Sequence, residues 1–306
     1  MLTEHRVITQ EERKELQPVL EKISVQDGAD ILRFIDTNLD KIYDVYLIKT
    51  QRGMRILKLL GERRFDKTKY DIYFAGKGFA VPEIFEIFSA EGKDYVLMQC
   101  IEGKDARNCN PQDARKTGEE LARIQSYYLT DGGHTETAEY YWNRYLEKYY
   151  EKLKAIFTDI DDVWEASKQR FFEAPQTLVH DDLLPINVLI GESQPWMIDW
   201  EIAGIYPYFL DLARFAYVYC SIDEAFFISN ESANAFIDAY YVEMKTNPMF
   251  HIEKEQFIYD VAISAFYQYI MFQEYEKPLD EIKDTVDFKF LKEIIQVLRE
   301  KREKYE

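Results

Sequence analysis

Apolar positions in the first hundred residues fall into short alternating runs separated by turn residues, with two helical stretches between them. The residues Thr9–Glu12 have the form of a capping box and predict a first helix to about Ile23, which Pro18 would bend. A second helix is predicted from Phe65 to about Gly76, where apolar residues recur at helical spacing. The alternating runs predict five strands, the last four forming two hairpins: Ala29–Ile35, Asp44–Lys49, Met54–Leu60, Glu83–Phe88 and Asp94–Gln99.

The remainder of the chain has mainly helical periodicity, with aromatic residues along the apolar faces. Asn110-Pro111 has the form of an N-cap followed by proline at the first helical position. Further amphipathic stretches cover Asp211–Cys220, Asn230–Lys245 and Lys254–Tyr275. A strand-rich part followed by a helix-rich part predicts an α+β fold with a small N-lobe and a larger, mostly helical C-lobe. We place the two lobes at residues 1–99 and 100–306.

One stretch of the second part carries a concentrated set of polar residues between apolar runs. The first run, Thr177–Val179, is followed by a loop that contains His180, Asp182 and Asn187. Two more apolar runs flank a Gly/Ser/Pro turn and predict a β-hairpin with strands at Val188–Ile190 and Trp196–Ile198.

Asn187 and Asp199 would lie at the open end of that hairpin, one just before the first strand and the other just after the second. Neighbouring antiparallel strands are about 5 Å apart, so the amide and the carboxylate would come side by side. Hard oxygen ligands of this kind suit Mg²⁺. Asp182, five residues before Asn187, can reach a hydroxyl group beside that metal, which is the arrangement used in phosphoryl transfer.

The motif H-x-D-x-x-x-x-N over His180–Asn187, followed by I-D-W-E at Ile198–Glu201 and D-L-A at Asp211–Ala213, resembles the aminoglycoside phosphotransferase and choline kinase superfamily. Protein kinases share the two-lobed plan, but they carry D-F-G at the metal-binding aspartate and a later A-P-E, and this chain has neither. The sequence departs from the family pattern at Asp181, where glycine is usual. Aspartate tolerates unusual backbone angles better than most residues.

This resemblance implies a bilobal, protein-kinase-like fold and a Mg²⁺-dependent transfer of the γ-phosphate of ATP or GTP. It makes Asp182 the catalytic base, and Asn187 and Asp199 the metal ligands. It gives His180 a structural place behind the loop, and Asp211 the role of bracing the loop. The acceptor that it implies is a hydroxyl group of a small amine-bearing molecule, most closely of aminoglycoside type.

Lys58 is the residue that the resemblance assigns to the α- and β-phosphates of the nucleotide. It stands among apolar residues in a predicted strand. A buried ammonium group needs an acidic partner, and in this family the partner comes from the following helix. Asp66 and Asp71 are both candidates for that partner, and Glu62 is a less favoured one.

The segment Leu97–Gly103 resembles the hinge that binds the purine in this family. By that resemblance the carbonyl group of Gln99 and the amide of Ile101 contact the purine edge. A hinge uses backbone groups, so many side chains are compatible with it. Residues 38–43 stand where the family has its phosphate loop, and this segment is not glycine-rich.

Two chemistries remain open for the acceptor site. Carboxylates would bind an amine through charge-assisted hydrogen bonds, whereas an aromatic cage would bind a quaternary ammonium group. The acidic candidates are Asp181, Glu201, Asp223, Glu224, Glu274 and Glu276. The aromatic candidates are Trp200, Tyr206, Tyr208 and Tyr217, although rings at helical spacing usually belong to a core.

Composition narrows the range of partners. A net charge of −18 argues against nucleic acid, whose binding needs clustered Lys and Arg, and is compatible with a cationic small molecule. The sequence has no apolar run near 18 residues and no signal-peptide pattern, so we expect a cytoplasmic protein without a membrane partner. Cys100, Cys109 and Cys220 lack metal-ligand spacing and predict reduced thiols. The sequence does not predict the oligomeric state.

Two other functions remain open at this point. A choline, ethanolamine or sugar kinase of the same superfamily would use the same catalytic residues with a different acceptor site. A non-catalytic kinase-like binding protein would not need a base. The joint presence of Lys58, Asp182, Asn187 and Asp199 argues against this last alternative.

Overall fold

A computed structural model of the protein describes residues 3–25, 28–37, 40–50, 53–61, 66–132, 135–157, 160–217, 228–272 and 285–302. Its helices and antiparallel strands establish the predicted α+β class. The chain divides into two compact units, each formed from two segments: Met1–Asp105 with Val188–Ile202, and Ala106–Asn187 with Ala203–Glu306. The assignment of nucleotide binding to residues 1–99 and of catalysis to residues 100–306 stays a prediction.

The first unit is built on a six-stranded antiparallel sheet with the order β1-β2-β3-β4-β6-β5. Its strands are β1 (Thr3–Val7), β2 (Asp30–Asp36), β3 (Lys41–Thr50), β4 (Gly53–Leu59), β5 (Ile84–Ala90) and β6 (Lys93–Gln99). The five predicted strands and the two hairpins are confirmed, with small differences at their ends. Strand β1 was not predicted.

Helix α1 (Gln10–Lys22) begins with the predicted capping box. The Thr9 side chain accepts a hydrogen bond from the Glu12 amide at 3.2 Å, and the Glu12 carboxylate accepts one from the Thr9 amide at 2.8 Å. Pro18 lies inside the helix. The apolar face of α1 packs into a core with residues of the sheet: Leu16, Val19, Leu20, Ile31, Ile48 and Leu57. This core fixes β4, the strand that carries Lys58.

Helix α2 (Lys67–Phe74) follows β4 and is shorter than predicted. The Asp66 carboxylate caps it by accepting hydrogen bonds from the amides of Thr68 at 2.8 Å and Lys69 at 3.2 Å. The predicted start at Phe65 lies outside the described residues.

A three-stranded sheet completes the first unit, with the order β10-β9-β7. Its strands are β7 (Lys104–Asp105), β9 (Val188–Ile190) and β10 (Pro195–Met197). The predicted hairpin is therefore confirmed, and Val188 pairs with Met197. A Cβ atom on Gly103 would lie 2.8 Å from the carbonyl oxygen of Ile190, so only glycine fits beside β9.

The second unit consists of helices and a two-stranded antiparallel sheet of β8 (Gln176–Val179) and β11 (Gly204–Pro207). Its helices are α3 (Pro111–Tyr127), α4 (Glu136–Tyr141), α5 (Tyr150–Ile156), α6 (Asp161–Glu173), α7 (Leu210–Ala216), α8 (Asn230–Met244), α9 (Lys254–Phe272) and α10 (Val286–Arg302). Asn110 caps α3 as predicted, accepting a hydrogen bond from the Asp113 amide at 2.9 Å. A Cβ atom on Gly118 would collide with the carbonyl oxygen of Phe236, so α3 and α8 pack closely.

The core of the second unit is rich in aromatic residues, including Trp142, Trp164, Phe171 and Tyr267. A buried ion pair links α6 to α9, since Arg170 donates two hydrogen bonds of 2.7 Å to Asp260. Within the described ranges, none of the helices is both long and apolar enough to cross a membrane. Cys220 and Tyr275, the predicted ends of two helices, lie outside those ranges.

Candidate active site

The loop His180–Asn187 follows directly after β8, whose last residue, Val179, pairs with Gly204 of β11. The buried ring of His180 accepts at Nδ1 a hydrogen bond of 3.3 Å from the Asp182 amide. A single 3₁₀ turn, Pro185–Asn187, ends the loop. These elements fix the path of the backbone and therefore the direction in which the Asp182 side chain leaves it.

Asp211, in the first turn of α7, is fully buried and binds the main chain of this loop. Its carboxylate accepts hydrogen bonds from the amides of His180 at 2.8 Å and Asp181 at 2.9 Å. Gln125 of α3 donates a third bond to it at 3.1 Å. Burial raises the pKa of Asp211 to about 7, while the two loop amides act in the opposite direction.

Both carboxylate oxygens of Asp182 have hydrogen-bond donors. Oδ1 accepts from Nη2 of Arg214, and Oδ2 accepts from Nδ2 of Asn187 at 3.2 Å. The same Nδ2 atom donates to the backbone carbonyl group of Asp182 at 2.8 Å. The Asp182 side chain is still 31% exposed, so its carboxylate is fixed in direction without being sealed from a substrate.

Arg214 was not predicted from the sequence. It stands three residues after Asp211 on α7, and residues at this spacing share a face of a helix. The D-x-x-R spacing was therefore the available signal, because a helix face that reaches the loop with Asp211 also presents Arg214. Nη1 of Arg214 donates to Gln268 of α9 at 2.9 Å.

Lys58 of β4 has its ammonium group between two carboxylates. Nζ lies 2.5 Å from Oδ1 of Asp199 and 3.3 Å from Oε2 of Glu201. Burial on its own would lower the pKa of Lys58, but the two carboxylates outweigh burial and raise this pKa above its ordinary value. The ammonium group therefore stays charged at neutral pH, as phosphate binding requires.

The expectation that Asp66 or Asp71 holds Lys58 was wrong. The Asp66 carboxylate caps α2, and Asp71 accepts a hydrogen bond of 2.5 Å from Lys67 on the same helix. The acids of α2 thus satisfy their own helix, and residues that follow β10 bind the lysine instead. Glu62, the third candidate, lies outside the described residues.

Asp199 follows β10 by two residues and has a left-handed backbone conformation, with φ of 68°. Lys58 binds its Oδ1 atom, and the side chain is 31% exposed. Asn187 directly precedes Val188, the first residue of β9. Its side-chain nitrogen, Nδ2, donates hydrogen bonds to the carbonyl oxygen and to Oδ2 of Asp182. Its oxygen is consequently the atom that can bind a cation. A carboxylate and an amide oxygen are suitable ligands for Mg²⁺, so these residues fit the metal that the family resemblance implies.

The predicted hinge begins where β6 ends at Gln99. Gln99 pairs with Arg55 of β4, and its amide donates to the carbonyl group of Glu83 at 2.8 Å. Within the part of the chain that the structure describes, the amide of Ile101 donates no hydrogen bond. A backbone donor that the fold does not use is what a purine-binding hinge needs.

Trp200, a predicted acceptor residue, is only 4% exposed. Its ring packs against Phe74 with centroids 4.8 Å apart, and its Nε1 atom donates to the carbonyl group of Met197 at 3.0 Å. Trp200 therefore belongs to the core of the first unit and does not line an open cage. Tyr208 is also buried, and Tyr217 is partly buried.

Tyr206 of β11 is partly exposed, and its ring lies against that of Tyr141, with centroids 4.7 Å apart. The Tyr141 hydroxyl donates to Asp181 at 2.8 Å. Asp181 has φ of 66°, the left-handed conformation that glycine would adopt without strain. The Asp181 carboxylate and the two rings therefore form one cluster at the residue that precedes Asp182. The remaining acidic candidates lie outside the described residues: Asp223, Glu224, Glu274 and Glu276.

The loop of the second unit, and the hairpin and lysine of the first, each carry the residue types of a kinase-like phosphotransferase. Residues 46–245 match the phosphotransferase enzyme family. This match covers well over half of the chain and includes Lys58, Asp182, Asn187 and Asp199. The chain belongs to this family. Among curated protein sequences there is no match.

Solved structures confirm the predicted bilobal, kinase-like fold. A fructosamine-3-kinase candidate from Haemophilus somnus 129PT has a TM-score of 0.58 at 11% identity, covering 92% of this chain and 95% of that one. An aminoglycoside phosphotransferase candidate from Ralstonia eutropha JMP134 has a TM-score of 0.56 at 12% identity, covering 98% and 99%. Choline kinase from Cryptosporidium parvum Iowa II has a TM-score of 0.50 at 13% identity, covering 99% and 90%. At such identities the similarity shows the fold alone.

Proposed function

We propose that this protein is a small-molecule O-phosphotransferase that moves the γ-phosphate of ATP or GTP to a hydroxyl group of an amine-bearing acceptor, most closely of aminoglycoside type. The observation that carries this proposal is the way in which the Asp182 carboxylate is held, in a chain that belongs to this family. Its carboxylate is bound by Arg214 and Asn187 and remains partly exposed. A carboxylate held in this way can orient an acceptor hydroxyl for in-line attack on a phosphoryl group.

Lys58 is proposed to bind the nucleotide phosphates, because its ammonium group is fixed in β4 and stays charged. Asn187 and Asp199 are proposed to bind Mg²⁺, which would neutralise charge on the phosphates. The carbonyl group of Gln99 and the amide of Ile101 are proposed to contact the purine.

An amine-bearing acceptor is supported by Asp181 and Tyr206. A charge-assisted hydrogen bond to an amine contributes about 1.5–3 kcal/mol, and a cation–π contact contributes about 0.5–2 kcal/mol. Glu201 was predicted for the acceptor, but its carboxylate lies against Lys58. We therefore assign the acceptor contacts to Asp181 and Tyr206 rather than to Glu201 and Trp200.

The test is a nucleotide-consumption screen of the wild-type protein and Asp182→Asn against aminoglycosides, amino sugars, choline and ethanolamine, each with ATP and with GTP. We expect one acceptor class to stimulate consumption by the wild type. Asp182→Asn should lower turnover by about 10²–10⁴-fold with unchanged nucleotide affinity, since this residue acts on the acceptor. Wild-type turnover in the variant would disprove the role of Asp182. Nucleotide binding without consumption would favour the non-catalytic alternative.

A choline-type acceptor is the second candidate, because the rings of Tyr141 and Tyr206 lie together beside the loop. The two classes differ in their response to salt. Affinity for a polyamine bound by carboxylates should fall markedly between about 0.05 and 0.5 M salt. A cation held by short-range contacts with aromatic rings should be less sensitive to salt, and Tyr206→Ala should abolish its binding.

A further inference from the structure

Helix α7 contacts the loop His180–Asn187, called the catalytic loop below, through two charged residues that lie one helical turn apart. Asp211 binds the amides of His180 and Asp181, whereas Arg214 binds the side chain of Asp182. One residue therefore holds the main chain of the loop, and the other holds the carboxylate that we propose to be the base.

The guanidinium group of Arg214 is itself held in place. Nη1 donates to Gln268 at 2.9 Å, and the exposed fractions of the two side chains are only 13% and 3%. Ser264, one turn before Gln268 on α9, accepts a hydrogen bond from the amide of Ala213 at 3.1 Å. Because α7 is fixed on α9 next to Arg214, the guanidinium group provides a rigid support for Asp182.

The two oxygens of Asp182 are held differently. Oδ1 has the charged donor Arg214, whereas Oδ2 has the neutral donor Asn187 at 3.2 Å, a longer and weaker bond. An acceptor hydroxyl would therefore meet Oδ2 more easily than Oδ1. Arg214 also affects the pKa of Asp211. Burial raises this pKa and the negative charge of Asp181 raises it further, whereas the positive charge of Arg214 lowers it.

We propose that Arg214 is a positioning residue for phosphoryl transfer. With Gln268 behind it, it holds the carboxylate of Asp182 so that Oδ2 faces the acceptor hydroxyl. This role rests on the phosphotransferase function proposed above. Displacing a catalytic group by 1 Å can cost about 10²-fold in rate. Loss of Arg214 should therefore lower kcat and leave the KM values nearly unchanged.

The experiment compares Arg214→Met, Arg214→Lys, Asp182→Asn and the double variant Asp182→Asn/Arg214→Met, with ATP and the best acceptor from the screen, and with kanamycin as the aminoglycoside probe. Rates are corrected for the folded fraction by thermal unfolding. We expect Arg214→Met to lower kcat by about 10²-fold. Arg214→Lys should give an intermediate loss of kcat, because a lysine ammonium group cannot reproduce the geometry in which the planar guanidinium group contacts both Asp182 and Gln268. The double variant should be no slower than Asp182→Asn, since Arg214 acts through Asp182.

Arg170→Lys is the matched control. Arg170 is 14% exposed and binds Asp260 as Arg214 binds Asp182, but its carboxylate partner is not on the catalytic loop. This control should lower stability without changing kcat per folded molecule. Gln268→Met should lower kcat moderately, and combining it with Arg214→Met should add nothing, because Gln268 acts through the guanidinium group.

Two results would overturn the role of Arg214. The first is a wild-type kcat in Arg214→Met. The second is a double variant much slower than Asp182→Asn, which would mean that Arg214 acts on the phosphate or elsewhere. Failure of the proposed function looks different, because the wild type would then show no turnover that depends on Asp182 with any acceptor, and both proposals would fall together.

Discussion

The ammonium nitrogen of Lys58 lies 2.5 Å from a carboxylate oxygen of Asp199, a residue 141 positions further along the chain. Glu201 adds a second carboxylate at 3.3 Å. All three side chains keep partial exposure, so a phosphate group can compete for the lysine. A phosphate that binds Lys58 would replace one anionic partner with another and would release the Asp199 carboxylate for a metal ion.

Lys58→Met is expected to raise the KM for the nucleotide by about 10- to 100-fold, because a hydrogen bond between charged groups contributes about 1.5–3 kcal/mol. Asp71→Asn is the matched control, since Asp71 pairs with Lys67 and not with Lys58. Its nucleotide KM should equal that of the wild type. Steady-state kinetics with varied ATP measures both values. If Asp71→Asn raised the nucleotide KM as much as Lys58→Met does, Asp71 would be a partner of Lys58, as the sequence predicted.

Asp199→Ala should abolish the Mg²⁺-dependent part of nucleotide binding, whereas Asn187→Ala should weaken it by about tenfold, equivalent to 1.4 kcal/mol. The difference arises because a carboxylate contributes a full charge to the metal and an amide does not. Isothermal calorimetry with ATP, in the presence and absence of Mg²⁺, measures both effects. If Asp199→Ala still binds ATP in a Mg²⁺-dependent way, the two residues are not the metal ligands.

The elements that could be predicted from the sequence are those whose cause is local. The capping box at Thr9–Glu12 and the hairpin from Val188 each follow from residues adjacent in the chain. Strand β1 could not be found in this way. Its single apolar residue, Val7, is 72% exposed, so no apolar pattern marks the strand, and it exists through pairing with β2.

The contacts that could not be predicted depend on tertiary packing. From the sequence, the partner of Lys58 could be any nearby acid, and only the fold shows that Asp71 is engaged within α2. Trp200 directly follows Asp199 in the sequence, but the position of Phe74 decides that its ring is buried. Arg214 reaches Asp182 because α9 fixes the orientation of α7.

The Asp181→Ala protein should be less stable than the Asp181→Gly protein. Both variants lose the hydrogen bond from Tyr141, but Ala keeps the left-handed conformation at φ of 66° and pays a strain of about 1–2 kcal/mol that Gly avoids. Urea unfolding measures the difference. Asp113, in the first turn of α3, is the control position, where Ala should be the more stable replacement. The same order of stability of the Ala and Gly variants at positions 181 and 113 would contradict the strain at Asp181.

The buried carboxyl group of Asp211 should make stability depend on pH. Its pKa of about 7 lies above the ordinary value of 3.8, so the folded protein binds more protons than the unfolded chain between these pH values. The stability that this group contributes is fully present below about pH 4 and is lost as the pH rises through 7. With about three pKa units at 1.36 kcal/mol each, the loss is at most about 4 kcal/mol.

Asp211→Asn removes this titration, so the free energy of unfolding of the wild type minus that of the variant should fall from pH 4.5 to pH 8. Urea unfolding at several pH values measures it. Glu12→Gln is a control for which the same difference should stay constant from pH 4.5 to pH 8, because the hydrogen bond from Arg6 holds the pKa of Glu12 well below its usual range. The stability from Glu12 is present above about pH 4.5 and is lost on acidification. Parallel stability curves for the wild type and Asp211→Asn over this range would show that Asp211 is already ionised at pH 4.5, with the loop amides outweighing burial.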